Sequence, residues 1–220
     1  MQYTLIEPKL SLRAINQTFR TGVLARNFER SGGTHLSQIL QHIARDSGRL
    51  QEKIIFGRNS FAPLQEHDLP ACMAVGFAME ELLVRMHPWI LRSGELVSDG
   101  IAMSPDGVTF NSRRHLLSPD KPVTILHEFK ATWKSARKPL EEQLSYLQQT
   151  KAYCRALDTQ YCILWIFHVN GDYQFGDSPD AGPRLKQWHI KYAPWELESN
   201  WHEILSKKQE VEQRGKQDDR

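Results

Sequence analysis

Two acidic residues and a lysine near the middle of the chain could together hold a metal ion beside a phosphate. Residues 123–129 are apolar or β-compatible, which predicts a buried strand that finishes at Lys130. Because side chains alternate along a strand, Glu128 and Lys130 share one face. Asp106 opens the preceding short strand, and an antiparallel hairpin would place it beside the end of the second strand. Two oxygen ligands and one cation at a single point suit a divalent metal next to a phosphate.

Other copies of the same short patterns lack this geometry. A Glu-x-Lys tripeptide also occurs at residues 7–9, but no apolar strand precedes it and no Asp lies upstream. The Ser-Pro-Asp turn sequence recurs with Asp120 and with Asp180. Asp120 begins the second strand, at the wrong end to reach Lys130, and Asp180 follows in a Gly- and Pro-rich loop. Only Asp106 is placed to share a metal with the glutamate.

The Pro-Asp dipeptide ending at Asp106, followed across a hairpin by Glu128-x-Lys130, resembles the motif of the PD-(D/E)xK nuclease superfamily. The resemblance covers roughly residues 70–170. It implies that the two carboxylates bind Mg²⁺ or Mn²⁺, with the backbone carbonyl of Phe129 as a further ligand. It also implies that Lys130 lowers the pKa of the attacking water or stabilises the pentacovalent phosphorane.

Two predicted helices carry further candidates. The helix over 70–86 contains Gly-x-x-x-Glu80, which resembles the metal-binding glutamate helix of the RecB and lambda-exonuclease branch. Glu81 points about 100° further round, and either residue alone could be a surface carboxylate. On the later helix, Gln149 and Tyr153 share one face, similar to a Gln-x-x-x-Tyr helix of that branch. The resemblance implies that Gln149 orients the lysine or the phosphate, and that Tyr153 contacts DNA.

A basic segment follows Asp106 in the sequence. Residues 113–138 contain seven Lys or Arg residues and two Asp or Glu residues, although the net charge of the chain is only +2. We expect this segment to surround the site and to contact the DNA backbone; a solvated loop surface is the alternative. Trp133 suits base stacking or packing of its loop onto the domain. The candidate DNA-binding residues in this segment are Arg113, Arg114, Trp133, Lys134, Arg137 and Lys138.

Length and composition favour a single domain. The 220 residues predict one nuclease domain over 1–212 and a disordered tail over 213–220. No apolar run approaches the roughly 20 residues of a membrane span, and no signal-peptide pattern begins the chain. The three cysteines, Cys72, Cys154 and Cys162, are expected to be reduced core residues of a cytoplasmic protein. Three scattered cysteines cannot build a four-cysteine iron–sulfur cluster.

The predicted elements form an α/β fold of the restriction-endonuclease-like sandwich type, in which helices flank a central mixed β-sheet. Asp99 is interpreted as a polar residue at a strand end or as an acid that supports the site. The strand 185–192 alternates apolar and polar residues and is expected to be half-exposed. Predicted helices are 34–44, 70–86, 139–157 and 194–212; predicted strands are 95–103, 107–111, 123–130, 161–169 and 185–192, with brief pairing at 173–175.

The resemblance implies a metal-dependent deoxyribonuclease, most similar to exonucleases of phage or mobile-element recombination and repair. A structure-selective endonuclease would use the same residues in an obligate dimer, and a restriction-type endonuclease would recognise a short sequence. A DNA-binding module without catalysis is a third alternative. The expected partner is DNA, with a homo-oligomer or a recombination partner protein also compatible with the sequence.

Overall fold

The computed structural model describes residues 1–6, 33–47, 71–118, 120–169, 171 and 182–218. The strands are β1 (Gln2–Ile6), β2 (Thr34–His35), β3 (Leu96–Ser98), β4 (Ile101–Met103), β5 (Gly107–Ser112), β6 (Val123–Thr132), β7 (Tyr161–His168) and β8 (Arg184–Lys191). The α-helices are α1 (Leu36–Asp46), α2 (Ala71–Met86), α3 (Leu144–Ala156) and α4 (Pro194–Asp218). A 3₁₀ turn, Leu140–Glu142, precedes α3.

The central sheet is mixed and has the strand order β1-β8-β7-β6-β5. Strands β6 and β7 are parallel, and the other neighbours are antiparallel. A parallel pair needs a crossover connection, which α3 supplies. Strands β2, β4 and β3 form a second, three-stranded sheet. The expected α/β architecture, a central mixed sheet flanked by helices, is therefore confirmed.

Strand alternation divides the core between the two faces of the central sheet. On one face, Leu126, Leu164 and Ile190 pack beneath α1, α3 and α4. On the other, Ile125, Phe129 and Trp165 pack with apolar residues of α2. Full burial of side chains of this kind stabilises the fold by about 1.5–3 kcal/mol each. Both faces of β6 and β7 are covered, which is why these strands are apolar along most of their length.

The single strand predicted over 95–103 is wrong. Strands β3 and β4 instead form a tight antiparallel hairpin that turns at Asp99 and Gly100. Both turn residues have positive φ angles, 49° and 69°, and an Asp-Gly pair accommodates this conformation. The Asp-Gly pair therefore interrupts an otherwise strand-like run.

Several predicted boundaries also move. Strand β6 continues past Lys130 to Thr132, because β7 pairs with it as far as His168. Strand β8 is not half-exposed, since it lies between β1 and β7 and residues 188–190 are buried. The final helix extends to Asp218, six residues past its predicted end at residue 212.

Of the other predicted features, some lie within the described residues and some do not. Helix α1 begins at Leu36, two residues after the predicted cap Thr34, because Thr34 and His35 pair with β4. Cys154 and Cys162 are buried free thiols, whereas the side chain of Cys72 and the pairing at 173–175 lie outside the described residues. Among the helices that the structure describes, none is both long enough and apolar enough to cross a bilayer.

Candidate active site

The β5–β6 hairpin places Asp106 beside the residues that the sequence pairs with it. Gly107 lies opposite His127 in the antiparallel register, so Asp106 precedes β5 next to Glu128 and Phe129. The backbone N–H of Phe129 donates a hydrogen bond of 2.8 Å to Asp106 Oδ2. In a strand, the N–H and C=O of one residue point to the same edge. The carbonyl of Phe129 therefore faces the edge where Asp106 lies.

Glu128 and Lys130 form an ion pair on one face of β6. Lys130 Nζ donates to Glu128 Oε1 at 2.5 Å, and the glutamate side chain is only 1% exposed whereas the lysine is 20% exposed. A buried ion pair offsets its desolvation cost only when further hydrogen bonds satisfy the remaining atoms. Among the described residues, Glu128 Oε2 has no such partner. The site therefore holds a buried carboxylate oxygen with unused acceptor capacity.

Burial and nearby negative charge disfavour the charged forms of Asp106 and Glu128. Desolvation and the negative charge of Glu128 raise the pKa of Asp106 well above its usual value. Desolvation likewise raises the pKa of Glu128, although Lys130 partly opposes it. Burial acts to lower the pKa of Lys130, but the charges of Glu128 and Asp106 outweigh it and raise this pKa. A cation bound between these carboxylates would favour their charged forms.

Helix α2 brings Glu80 into this cluster. At Gly76 an added Cβ would lie 3.9 Å from the Cβ of Ala131, so the helix packs closely on β6. The charge of Glu80 raises the pKa of both hairpin carboxylates, which places it within their electrostatic reach. Glu80 is 7% exposed, and Arg92 donates to its Oε1 at 2.5 Å. Glu80 therefore lies within electrostatic reach of the candidate site, where it is held in an ion pair with Arg92.

Arg92 is a site residue that the sequence reasoning missed. Its guanidinium also donates to Glu81 Oε2 at 2.7 Å, and Glu81 accepts a second hydrogen bond from Arg85 at 2.8 Å. Although burial acts to raise the pKa of Glu81, these two arginines lower it. Glu81 is thus held by cations beside the cluster. Arg92 lies in the irregular segment after α2, where no periodicity or spacing relates it to Glu80.

Helix α3 lies over the Lys130 side of the site. Gln149 Nε2 donates to the hydroxyl of Tyr153 at 2.9 Å. Burial and the charge of Glu128 raise the pKa of Tyr153, so this hydroxyl lies close to the ion pair. The predicted Gln-Tyr face is therefore present, with Gln149 bonded to Tyr153. The ring of Tyr146, which the sequence analysis did not select, lies 5.9 Å from Lys130 Nζ.

The basic segment is divided between the two ends of the β5–β6 hairpin. Arg113 and Arg114 follow β5 at the hairpin tip, where Ser112 pairs with Val123. Lys130 lies seven positions further along β6, about 23 Å away at roughly 3.3 Å per residue. The expectation that the whole segment surrounds the site is therefore wrong for these two arginines. The guanidinium of Arg114 instead lies 3.9 Å above the ring of Trp89, which follows α2.

The later basic residues lie at the same end as the site. Lys134 and Arg137 are exposed, Trp133 is half-buried, and Lys138 pairs with Glu142 at 3.4 Å. The loop is anchored through its backbone. His168 Nδ1 lies 3.0 Å from the carbonyl of Lys134, and Ala136 N donates to the carbonyl of Gly171 at 2.6 Å. The loop after β6 is therefore the part of the basic segment available for contacts near Lys130.

The candidate site offers oxygen donors for a divalent cation. No group of three His, Cys, Asp or Glu side chains is arranged as a metal site within the described ranges. The available donors are the carboxylates of Asp106 and Glu128, including the unpartnered Oε2, and the carbonyl of Phe129. All are oxygens, which suit Mg²⁺ or Mn²⁺. Glu80 is paired with Arg92 at 2.5 Å and is not grouped with these donors as a metal site within the described ranges.

Comparison with known proteins assigns no family to the chain. No protein-family model matches it, and no curated protein does. Among solved structures, SSO0001 aligns over 88% of this chain and 84% of its own, at 10% sequence identity and a TM-score of 0.42. A similarity of this strength carries no information about fold family or activity. The chain is thus characterised by its own hairpin site.

Proposed function

We propose that this protein is a metal-dependent deoxyribonuclease that hydrolyses phosphodiester bonds in DNA. The observation that carries the proposal is the meeting of Asp106, Glu128 and Lys130 at one point of the β5–β6 hairpin, with Glu128 Oε2 unpartnered among the described residues. Burying two carboxylates and one ammonium together is costly for a purely structural purpose. Perturbed charges of this kind are typical of functional sites.

The proposed metal has three ligands on the hairpin. Asp106, Glu128 and the carbonyl of Phe129 would hold Mg²⁺ or Mn²⁺, and Glu80 would complete the set or hold a second ion. When bound, such an ion polarises a phosphoryl oxygen and makes water a better nucleophile. Its positive charge would also lower the raised pKa values of the carboxylates.

Lys130 supplies the positive charge that the chain itself contributes. Its ammonium can donate hydrogen bonds to a phosphate and neutralise charge that develops there. Its Nζ lies 2.5 Å from Glu128 Oε1 in the ion pair and 5.9 Å from the centre of the Tyr146 ring on α3. The two neighbouring carboxylates raise the pKa of Lys130 and so favour its cationic form. It therefore stabilises negative charge rather than removing a proton.

The narrower proposal is an exonuclease of phage or mobile-element recombination type, acting in the cytoplasm. The placement of Glu80 near the hairpin carboxylates supports this narrower proposal, because nucleases of the RecB and lambda-exonuclease branch use a glutamate from the preceding helix. A structure-selective endonuclease and a restriction-type endonuclease differ from it in the DNA that they cut, and an inactive DNA-binding module binds DNA without cutting it. These alternatives are separated by substrate form.

The test uses end-labelled linear, circular and single-stranded DNA with Mg²⁺, Mn²⁺ or EDTA. An exonuclease degrades only the DNA that has ends, whereas an endonuclease also opens circles. Asp106→Asn and Glu128→Gln should each lower cleavage by about 100-fold or more. The matched control is Asp120→Asn, which alters the equivalent Asp of a second Ser-Pro-Asp sequence at the hairpin tip. Cleavage that persists in EDTA, or a near wild-type rate in either site variant, contradicts the proposal.

A second measurement tests where DNA lies on the protein. If Lys134 and Arg137 contact phosphates, replacing both with Ala should weaken binding to all sequences alike. The slope of log affinity against log salt concentration should fall by about 1 per lost contact. Arg113→Ala, at the far end of the hairpin, should leave the slope unchanged. Equal effects of the two changes would mean that DNA is not confined to the Lys130 end. Binding is measured in EDTA, so that the DNA stays intact.

A further inference from the structure

A cavity of about 310 Å³ lies on the face of the central sheet opposite Glu128 and Lys130. Its floor is a row of three residues that the strand register aligns across β6, β7 and β8: His127, Ile163 and His189. Apolar and aromatic side chains form much of its wall, among them Leu83, Trp89, Trp165 and Leu185. The volume falls at the lower end of the range for small-molecule sites.

One histidine of the floor is fully hydrogen-bonded, which fixes its tautomer. The indole N–H of Trp165 donates to His127 Nδ1 at 3.3 Å, so the proton of this neutral ring is on Nε2. That N–H donates to Thr109 Oγ1 at 3.0 Å, and the hydroxyl donates to the carbonyl of Trp89 at 3.1 Å. His127 therefore serves as a rigid part of the floor and has no hydrogen bond left to offer.

Two other imidazole nitrogens at this cavity are unpartnered. The backbone N–H of Leu116 donates to His189 Nδ1 at 3.1 Å, so the proton of His189 is on Nε2. This N–H is buried, His189 is only 2% exposed, and no acceptor for it exists among the described residues. His87 Nδ1 is also buried without a partner in the same set. Buried polar groups of this kind are ordinarily satisfied, and a ligand with a polar edge would satisfy them.

A positive charge lies beside these neutral rings. The guanidinium of Arg114 lies 3.9 Å above the ring of Trp89, and no carboxylate pairs with it among the residues that the structure describes. Burial, and then the charge of Arg114, lower the pKa of His87. Burial also lowers the pKa of His127 to about 3 and that of His189 to about 4. The cavity thus has an uncharged interior and a cation at its rim.

We propose that this cavity binds a planar heteroaromatic anion of the mononucleotide class. The flat aromatic walls suit a planar ring, and the N–H of His189 requires an acceptor on the edge of that ring. Arg114 meets the phosphate, since a guanidinium recognises phosphate through paired hydrogen bonds. The cavity and the proposed nuclease site lie on opposite faces of the sheet. This binding therefore does not depend on the proposed catalytic activity.

The test titrates the full-length protein with deoxyadenosine monophosphate and, separately, with deoxyadenosine, both in EDTA. Calorimetry and tryptophan fluorescence follow binding, because Trp89 and Trp165 line the cavity. Saturable binding of the monophosphate is expected. Arg114→Gln should weaken it about tenfold, the effect of losing one charge-assisted hydrogen bond, and should leave deoxyadenosine binding unchanged. Arg113→Gln, the neighbouring exposed arginine, is the matched control and should change neither affinity.

A second variant tests the interior of the cavity. His189→Phe removes the N–H donor and keeps a flat ring, so it should weaken both ligands about tenfold. Circular dichroism verifies that His189→Phe is folded. If this variant does not fold, the test depends on Arg114→Gln, which changes an exposed side chain. Absence of saturation at millimolar monophosphate overturns the proposal. So does unchanged affinity in Arg114→Gln, or a loss of binding in Asp106→Asn, which would place the nucleotide at the carboxylate site.

Discussion

Replacing His127 with Phe should make the protein less sensitive to acid. The ring is 2% exposed and lies between Trp165 Nε1 and Thr109 Oγ1, with which it forms hydrogen bonds of 3.3 and 3.0 Å. Burial, with smaller effects from His87 and other histidines, lowers its pKa from 6.5 to about 3. Between these values the unfolded chain binds a proton that the folded protein does not. Acidification through this range therefore favours unfolding.

The size of the effect follows from the width of that pH range. Each pH unit below 6.5 costs about 1.36 kcal/mol of stability from this group. Acidification from pH 7 to pH 5 should thus remove about 2 kcal/mol through His127 alone. The variant loses this dependence, but it leaves the buried indole N–H of Trp165 without an acceptor, at about 1–3 kcal/mol. The phenylalanine variant should therefore be less stable at pH 7 and about equal to the wild type near pH 5.

The assay is urea unfolding followed by circular dichroism at several pH values from 7 to 4.5. The difference in unfolding free energy between variant and wild type isolates His127, because the other buried histidines contribute equally to both proteins. His202→Phe, on the exposed side of α4, is the matched control for the same substitution outside the core. A penalty for His127→Phe that is the same at pH 5 as at pH 7 would refute the reasoning.

Two further predictions concern buried partners. Lys130→Met leaves Glu128 buried without its cation and should cost about 3–5 kcal/mol at pH 7 in EDTA, whereas exposed Lys121→Met should stay within about 0.5 kcal/mol. Adding Glu128→Gln to Lys130→Met should restore most of this loss, and a double variant no more stable than the single one contradicts the prediction. Asp99→Ala removes the acceptor of the 2.8 Å hydrogen bond from Trp201 Nε1 and should cost about 1–3 kcal/mol by thermal unfolding. Asp99→Asn keeps an acceptor oxygen and should cost less; equal losses would exclude the hydrogen bond as the cause.

Asp99 also shows how a candidate role can change with the structure. The sequence left it as a strand-end residue or an acid supporting the site. It instead occupies a hairpin turn with φ of 49°, accepts a hydrogen bond from Trp201, and offers its carbonyl to Lys208. These contacts join the turn to α4. No local pattern relates residue 99 to residues more than a hundred positions later, since only chain packing brings them together.

The sequence by itself determined the local elements and one long-range feature of the site. Apolar runs fixed β6 and β7, and the period of two placed Glu128 and Lys130 on one face. In an antiparallel hairpin the start of the first strand lies beside the end of the second. Asp106, at the start of β5, could therefore reach only the end of β6 that carries Glu128 and Lys130. Such inferences succeed because they depend on alternation and chain reversal, which are properties of neighbouring residues.

Tertiary structure alone decided the rest. Packing of α2 against β6 set Glu80 near the carboxylates and let Arg92 pair with it. The length of the hairpin separated Arg113 from Lys130, although these two residues belong to one basic segment of the sequence. Strand register aligned His127 and His189 on a common floor. Contacts of this kind depend on how whole elements pack, because burial of apolar surface is non-directional and does not encode a specific partner in any short stretch of sequence.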